Sequence, residues 1–148
     1  MRNFVILLMC VLTLSQCKSK IYSMDNLPKE FIEIGSYGGF AGTQKTIYFF
    51  PNGQRFMAES RRDNAERIVT NEIESYGTED FKQMKDELIQ MNFHEIQQNE
   101  VGNMTYFIRF KTKKMDSTVK WSNMDTGPLN LTNYYTKFLR NIQEAAIN

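Results

Sequence analysis

Cysteine and histidine, on which many catalytic and metal sites depend, are scarce in this chain of 148 residues. The chain has two cysteines and a single histidine, His94. A zinc site needs three or four converging ligands. A Ser-His-acid triad would have to use His94, and no serine stands in a nucleophile-elbow context to meet it. We therefore expect no metal, no cofactor and no enzymatic activity, and these absences disfavour a hydrolase.

An excess of charge of one sign is also missing. The chain has 18 Lys and Arg residues against 17 Asp and Glu residues. A nucleic-acid-binding surface usually carries a basic excess. We therefore expect no nucleic-acid partner.

Long hydrophobic runs are limited to one, from Phe4 to Leu14, which follows the short positive segment 1–3. A membrane-spanning helix needs about 20 apolar residues, so this run is too short to cross a bilayer and is typical of a signal peptide. The run ends in Leu14-Ser15-Gln16-Cys17, which resembles the lipobox of bacterial lipoprotein precursors, with Gln16 in place of the usual small residue. The resemblance implies that residues 1–16 are removed as a signal peptide and that Cys17 is acylated.

A plain secretory signal and an uncleaved anchor are the alternatives to this interpretation. No A-x-A pattern precedes a cleavage position, and the apolar run before Cys10 is too short for Cys10 to be the lipidated residue. Two or three acyl chains give stable anchoring. We expect a protein of the bacterial cell envelope, anchored in the membrane through Cys17, on the outer membrane and facing the periplasm. Cleavage and lipidation then leave no thiol for a disulfide bond.

The mature chain divides into a polar tether, residues 17–28, and a single domain, residues 29–148. Alternating β-branched and aromatic residues predict strands, and Asn52-Gly53 predicts a hairpin turn. The predicted strands begin near Phe31 and otherwise cover Thr46–Phe50, Gln54–Ser60, Ile68–Tyr76, Met104–Thr112 and Thr118–Ser122.

Apolar residues at helical spacing predict two helices. The first starts with Thr78 as its N-cap and carries the stripe Phe81, Met84, Leu88 and Met91, and the second runs from about Leu131 to Ile142. Tyr134 and Tyr135 are adjacent in this second helix, so we expect one of them to be exposed. The order strands, helix, hairpin, helix indicates an α+β fold in which two helices pack on one face of an antiparallel sheet.

The candidate binding segment is Tyr37-Gly38-Gly39-Phe40-Ala41-Gly42. Glycine reaches positive φ without steric cost, so the segment predicts a tight reversal between two strands. It lacks the Lys-Ser/Thr of a phosphate-binding loop, and a strand follows it instead of a helix. Phe40 either plugs the loop from below or projects outward, and we expect it to be buried, as large aromatic side chains usually are. Tyr37, Phe40 and Tyr48 should cluster near the loop, an arrangement that suits protein contact.

The glycine segment, the acidic start of the first helix, Tyr106-Phe107-Ile108 and Val119-Lys120-Trp121 together resemble the emfourin-type inhibitors of thermolysin-like metalloproteases. In those small proteins a serine-Gly-Gly-Phe-Ala-Gly segment precedes a helix, a hairpin and a closing helix. The similarity covers roughly residues 31–139, and the linker between the loop and the helix is longer here. It implies that the loop occupies a protease cleft without being cut.

Two functions remain open at this point. One is a lipid-anchored binding protein that uses the glycine loop on a protein partner, such as a metalloprotease. The other is a structural or assembly lipoprotein of the envelope that has no protease partner. An exposed Phe40 with no pocket nearby would favour inhibition, whereas a Phe40 buried beneath a deep apolar cavity would favour a ligand or partner module.

Overall fold

The computed structural model of the chain describes residues 21–61, 64–73, 77–125 and 127–145. The predicted signal peptide, residues 1–16, and the predicted lipidation site, Cys17, lie outside this part of the chain.

Six strands form one antiparallel sheet. Their order across the sheet is β4-β3-β2-β1-β5-β6, so β1 lies inside the sheet between β2 and β5. Together with two helices this confirms the predicted α+β class. The strands are β1 (Phe31–Gly38), β2 (Thr43–Phe49), β3 (Arg55–Arg61), β4 (Asn64–Ile73), β5 (Met104–Lys111) and β6 (Asp116–Trp121).

The side chains of β1 point alternately to the two faces of the sheet. Ile34 lies opposite Ile47 of β2 and Ile108 of β5, which puts three apolar side chains on one face. Its neighbour Glu33 lies opposite Arg109 on the other face, which we call the open face. Successive side chains of a strand point to opposite faces, so the sequence alternation gives this division directly.

Two α-helices and one short 3₁₀ turn complete the described elements: α1 (Thr78–Gln90), the 3₁₀ turn Phe93–Glu95 and α2 (Leu129–Ala145). The N-cap of α1 is Gly77, so the prediction of Thr78 as N-cap was wrong. The Gly77 amide donates a hydrogen bond of 3.0 Å to the Asp80 carboxylate, which is the half of a capping box that needs no side chain on the N-cap residue. No helix in the described ranges combines the length and the apolarity that crossing a membrane requires.

The larger core cluster joins residues of both helices to residues of the sheet. The Phe138 ring of α2 lies 6.4 Å from the Phe49 ring of β2, and the Tyr135 ring lies 5.6 Å from the Trp121 ring of β6. Trp121 is fully buried. The buried members of the cluster are Ile32, Ile34, Ile47, Phe49, Phe81, Met84, Leu88, Phe93, Ile108, Phe110, Val119, Trp121, Leu131, Tyr134, Tyr135 and Phe138.

Tyr134 and Tyr135 are both buried, so the expectation that one of them would be exposed was wrong. Neighbouring side chains of a helix diverge by about 100°, and the apolar stripe of a core helix is wide enough to hold both. Tyr134 donates a hydrogen bond of 3.2 Å to the Met84 carbonyl of α1, which satisfies its buried hydroxyl. Burial is also the main reason that the pKa of Tyr135 rises to about 12.

A second, smaller core cluster lies at the end of the sheet where β1 begins. Its buried members are Phe31, Tyr48, Phe50 and Ala58. Tyr22 and Met24, from the segment before β1, pack against this cluster. The Tyr22 amide donates a hydrogen bond of 2.8 Å to the Gln54 side chain, so the chain is fixed to the sheet from Tyr22 onward. Tyr48 belongs here and not beside the glycine loop, which corrects its predicted position.

Candidate binding site

The glycine segment forms the hairpin turn between β1 and β2. β1 ends at Gly38 and β2 begins at Thr43. The Gly42 amide donates a hydrogen bond of 3.0 Å to the Gly39 carbonyl, which makes Phe40 and Ala41 the central residues of a four-residue β-turn. The prediction of a tight reversal at this segment is confirmed.

Glycine is required at the base of this turn. Gly38, Gly39 and Gly42 have φ values of 116°, 71° and 56°. A Cβ atom on Gly38 would lie 2.1 Å from the carbonyl oxygen of Asn103, which is far inside van der Waals contact. The same oxygen accepts a hydrogen bond of 2.6 Å from the Gly39 amide. The residues that precede β5 therefore hold the base of the hairpin, and only glycine allows the two backbones to come this close.

Phe40 is fully exposed at the tip of this turn, with a relative accessibility of 110%. The expectation that it would be buried was wrong. The central residues of a hairpin turn lie beyond the last paired residues of the sheet. The sheet therefore offers the ring no surface to pack against, and the general tendency of aromatics to be buried does not decide its position.

A polar cavity of about 510 Å³ lies beside the hairpin and not beneath Phe40. The chain backbone provides much of its wall, and Phe40 is not part of that wall. It is lined by Tyr37, Gly38, Gly39, Gly42, Gln44, Ser60, Gly102 and Asn103.

A second groove of about 510 Å³, which we call the loop-side groove, continues from this cavity along the open face. Tyr37 and Gln44 line both. The Tyr37 ring lies 6.1 Å from the Phe107 ring, so the floor of the groove near the hairpin is aromatic. The loop-side groove is lined by Glu33, Tyr37, Gln44, Phe107, Arg109, Asp116, Thr118 and Lys120.

Arg109 organises the charges of the open face. It donates two hydrogen bonds of 2.8 Å to the two carboxylate oxygens of Asp116, and its third contact is with Glu33 at 3.4 Å. The hydrogen bond to Asp116 is the largest cause that raises the pKa of Arg109 above its already high value. The same bond lowers the pKa of the Asp116 carboxyl. The guanidinium is thus held as a fixed cation across the middle of the face.

The structure keeps the six predicted site residues together, from Tyr37 to Gly42, on one hairpin. Sequence reasoning missed Gln44, which pairs with Tyr37 across β1 and β2, Asn103, which accepts the Gly39 hydrogen bond, and Arg109, which lines the loop-side groove with Tyr37. For Asn103 and Arg109 the large separation along the chain left no signal, and for Gln44 the register was needed. His94 lies away from the hairpin, on the 3₁₀ turn, 3.7 Å from Glu95. Within the described ranges, no three His, Cys, Asp or Glu side chains converge into a group that could hold a metal ion.

Comparison with models of known protein families finds none that matches this chain, and no curated protein matches its sequence.

Proposed function

We propose that the protein is a lipid-anchored binding protein of the bacterial cell envelope, which presents the hairpin turn 39–42 to a protein partner. The observation that carries this proposal is the complete exposure of Phe40 between glycines that fix the turn. Burial of a Phe side chain against a partner gains about 1.5–3 kcal/mol. A ring that is already fully in water has this whole gain available for binding.

The base of the hairpin favours binding in a second way. The Gly39–Asn103 and Gly42–Gly39 hydrogen bonds fix the turn before any partner arrives. A loop that is already in its bound conformation loses less entropy when it binds. The polar cavity and the loop-side groove lie beside the turn, so a partner that covers Phe40 would also reach Tyr37 and Gln44.

We further propose that the partner is a protease of the thermolysin-like metalloprotease class, as the resemblance to the emfourin-type inhibitors implies. Phe40 is exposed, which favours this kind of function, but a polar cavity lined by Gly39 and Gly42 lies near it. The exposure of Phe40 alone therefore supports the inhibitor proposal. The protein then works by occupying a cleft and carries out no reaction itself. We also propose that both helices cover one face of the sheet. The contacts of Phe138 with Phe49 and of Tyr135 with Trp121 support this for α2, and the hydrogen bond from Tyr134 to the Met84 carbonyl joins α1 to α2.

The lipid anchor and the hairpin lie at opposite ends of β1 in this proposal. The chain is fixed to the sheet at Tyr22, close to Phe31, where β1 begins. The turn follows Gly38, where β1 ends. Eight strand residues span about 25 Å. Anchoring through Cys17 would therefore direct Phe40 away from the membrane and toward a partner in the periplasm.

The test of the inhibitor proposal compares the chain with two variants, Phe40→Ala and Leu129→Ala. Leu129 is 72% exposed at the start of α2, so its replacement removes a similar apolar side chain away from the hairpin. We expect the unaltered chain and Leu129→Ala to inhibit a thermolysin-like metalloprotease on a peptide substrate and to stay uncut. Phe40→Ala should weaken inhibition at least about tenfold, because central aromatic contacts often contribute 2 kcal/mol or more.

Absence of inhibition by the unaltered chain, or equal inhibition by both variants, would contradict the inhibitor proposal. Equal capture of another envelope component by all three proteins would then favour the structural or assembly lipoprotein. The anchor is tested separately, by mass spectrometry of the mature amino terminus. A free Cys17 thiol, or a mature amino terminus at a residue other than Cys17, would refute lipidation.

A further inference from the structure

The end of the sheet that carries Tyr22 also carries a basic groove, which we call the tether-side groove. Its volume is about 550 Å³, and it lies on the far side of Arg109 from the loop-side groove. Lys29, Lys111 and Lys113 line it together with Arg109. Pro28 and Leu27 form its wall next to the segment that precedes β1.

Some of the charged groups in and beside this groove neutralise one another. Asp116 accepts hydrogen bonds from Arg109 and lies 3.5 Å from Lys111, and Glu33 lies 3.4 Å from Arg109, so these four groups largely neutralise one another. Glu30, the acidic neighbour of Lys29 in sequence, is paired with Lys85 of α1 at 2.7 Å.

Lys29 and Lys113 have no ion pair within the described ranges, and both are exposed. The groove therefore carries an uncompensated positive charge beside an apolar floor made by Phe31, over which Arg109 lies at 5.4 Å.

Leu27, which is 38% exposed, is an aliphatic side chain in the lining of this groove. Ile21, in the same segment before β1, is 78% exposed. Basic side chains next to exposed aliphatic ones are the composition of a surface that rests on a membrane, because the lysines attract anionic headgroups while the aliphatic groups enter the acyl boundary.

The distance between this surface and a lipid on Cys17 is short. Tyr22, which is fixed to the sheet by its hydrogen bond to Gln54, is the fifth residue after Cys17. Five extended residues reach at most about 18 Å. The sequence adds Lys18 and Lys20 within this short stretch. An acylated Cys17 would thus hold the basic groove within reach of the headgroups.

We propose that the tether-side groove docks the domain on an anionic phospholipid surface, as a second membrane contact beside the lipid anchor. The inference rests on the proposed envelope location, and it extends that proposal by giving the domain a fixed orientation. Phe40 lies at the other end of β1 and stays clear of the membrane in this orientation.

The test uses the unlipidated chain from Lys18 onward, so that only the domain can bind. The two core clusters draw their described members from residues 22–139, so this chain keeps every residue of both. Thermal unfolding checks that each protein is folded. Sedimentation with phosphatidylglycerol vesicles and with phosphatidylcholine vesicles at low salt measures the bound fraction. We expect binding to the anionic vesicles alone, with reversal at high salt.

The variant Lys29→Glu/Lys113→Glu should lower partitioning to the anionic vesicles by at least about tenfold, since each lysine near such a surface contributes roughly fivefold. The matched control is Lys45→Glu/Lys82→Glu, which changes the net charge equally at exposed positions outside the groove. The control should lower partitioning by less than about threefold.

Absence of binding to the anionic vesicles, or an equal loss in both double variants, would overturn the inference. An equal loss in both double variants would mean that only the net charge matters. The vesicle experiment does not depend on the lipid anchor, because the tested chain has no Cys17. Vesicle binding without any lipid on Cys17 in the cell would leave the groove proposal standing and refute the anchor. A lipidated Cys17 without vesicle binding would do the reverse.

Discussion

Gly38→Ala should destabilise the domain much more than Gly39→Ala, although both glycines have positive φ values. Gly39, at 71°, lies close to the left-handed region that other residues can enter at a cost of about 1–2 kcal/mol. The nearest atom to its added Cβ would be the Met104 sulfur at 3.1 Å, which ends a flexible side chain. Gly38, at 116°, lies outside that region, and its Cβ would be 2.1 Å from the backbone oxygen of Asn103.

The magnitude follows from these contacts. Gly39→Ala has only the conformational cost, about 1–2 kcal/mol. Gly38→Ala adds the displacement of Asn103, at a cost of about 1–3 kcal/mol for overpacking. It also weakens the hydrogen bond from the Gly39 amide to Asn103, worth about 0.5–1.5 kcal/mol. The total is about 2.5–6.5 kcal/mol. Both substitutions stiffen the unfolded chain equally, so that effect cancels in the comparison.

Urea-induced unfolding of the two variants and the unaltered chain measures the difference directly. We expect Gly38→Ala to lie about 1.5–4.5 kcal/mol below Gly39→Ala in its free energy of unfolding. In thermal unfolding this corresponds to a difference in Tm of roughly 5–18 °C. If the two variants unfold within about 0.5 kcal/mol of each other, Asn103 does not confine Gly38, and the argument for a hairpin fixed at its base fails.

Two further substitutions test the core and the open face. Tyr134→Phe should lower the free energy of unfolding by about 1 kcal/mol, because it removes the buried hydrogen bond that the Tyr134 hydroxyl donates to the Met84 carbonyl; an unchanged midpoint in urea would refute the contribution of that bond. The hydrogen bond from Arg109 is the main cause that lowers the pKa of Asp116. The ionised Asp116 therefore stabilises the fold above about pH 4, and this contribution to stability disappears as the pH falls through the lowered pKa. Asp116→Asn should therefore lose less stability than the unaltered chain between neutral and strongly acidic pH. The difference in stability between the variant and the unaltered chain should stay below about 1 kcal/mol, because the Arg109 and Asp116 side chains are 35% and 42% exposed. Parallel profiles of Tm against pH for the two proteins would contradict this prediction.

The sequence was sufficient to locate the strands and helices, because their apolar residues recur at the periods of strand and helix, but not to fix their bounds. The strand predicted at Ile68–Tyr76 runs from Asn64 to Ile73, and residues 74–76 lie outside the described ranges. Phe110 and Ile108 alternate along β5, and Phe81, Met84 and Leu88 recur on α1, and all five are buried. These patterns act within one element and need no knowledge of its neighbours.

The features that the sequence did not reveal depend on contacts between distant parts of the chain. Arg109 meets Glu33, 76 residues earlier, only because β5 pairs with β1 in one particular register. The exposure of Phe40 depends on the exact turn that Gly39 and Gly42 form, since a shift of the tip could have laid the ring on the sheet. Structural propensities depend on the type of residue alone, whereas the contacts of Arg109 and the exposure of Phe40 are set by strand pairing and by turn geometry.

The length of β1 gives the two proposed contacts their independence. Lys29 lies just before the start of this strand and Phe40 just after its end, so about 25 Å of extended chain separates them. Substitutions at such a distance, with no shared neighbour, usually have additive effects. A chain altered at both Lys29 and Phe40 should thus show the vesicle-binding loss of one variant and the inhibition loss of the other, each unchanged. Dependence of either loss on the other residue would mean that membrane and partner share one surface, and this would contradict the proposed independence of the two ends of β1.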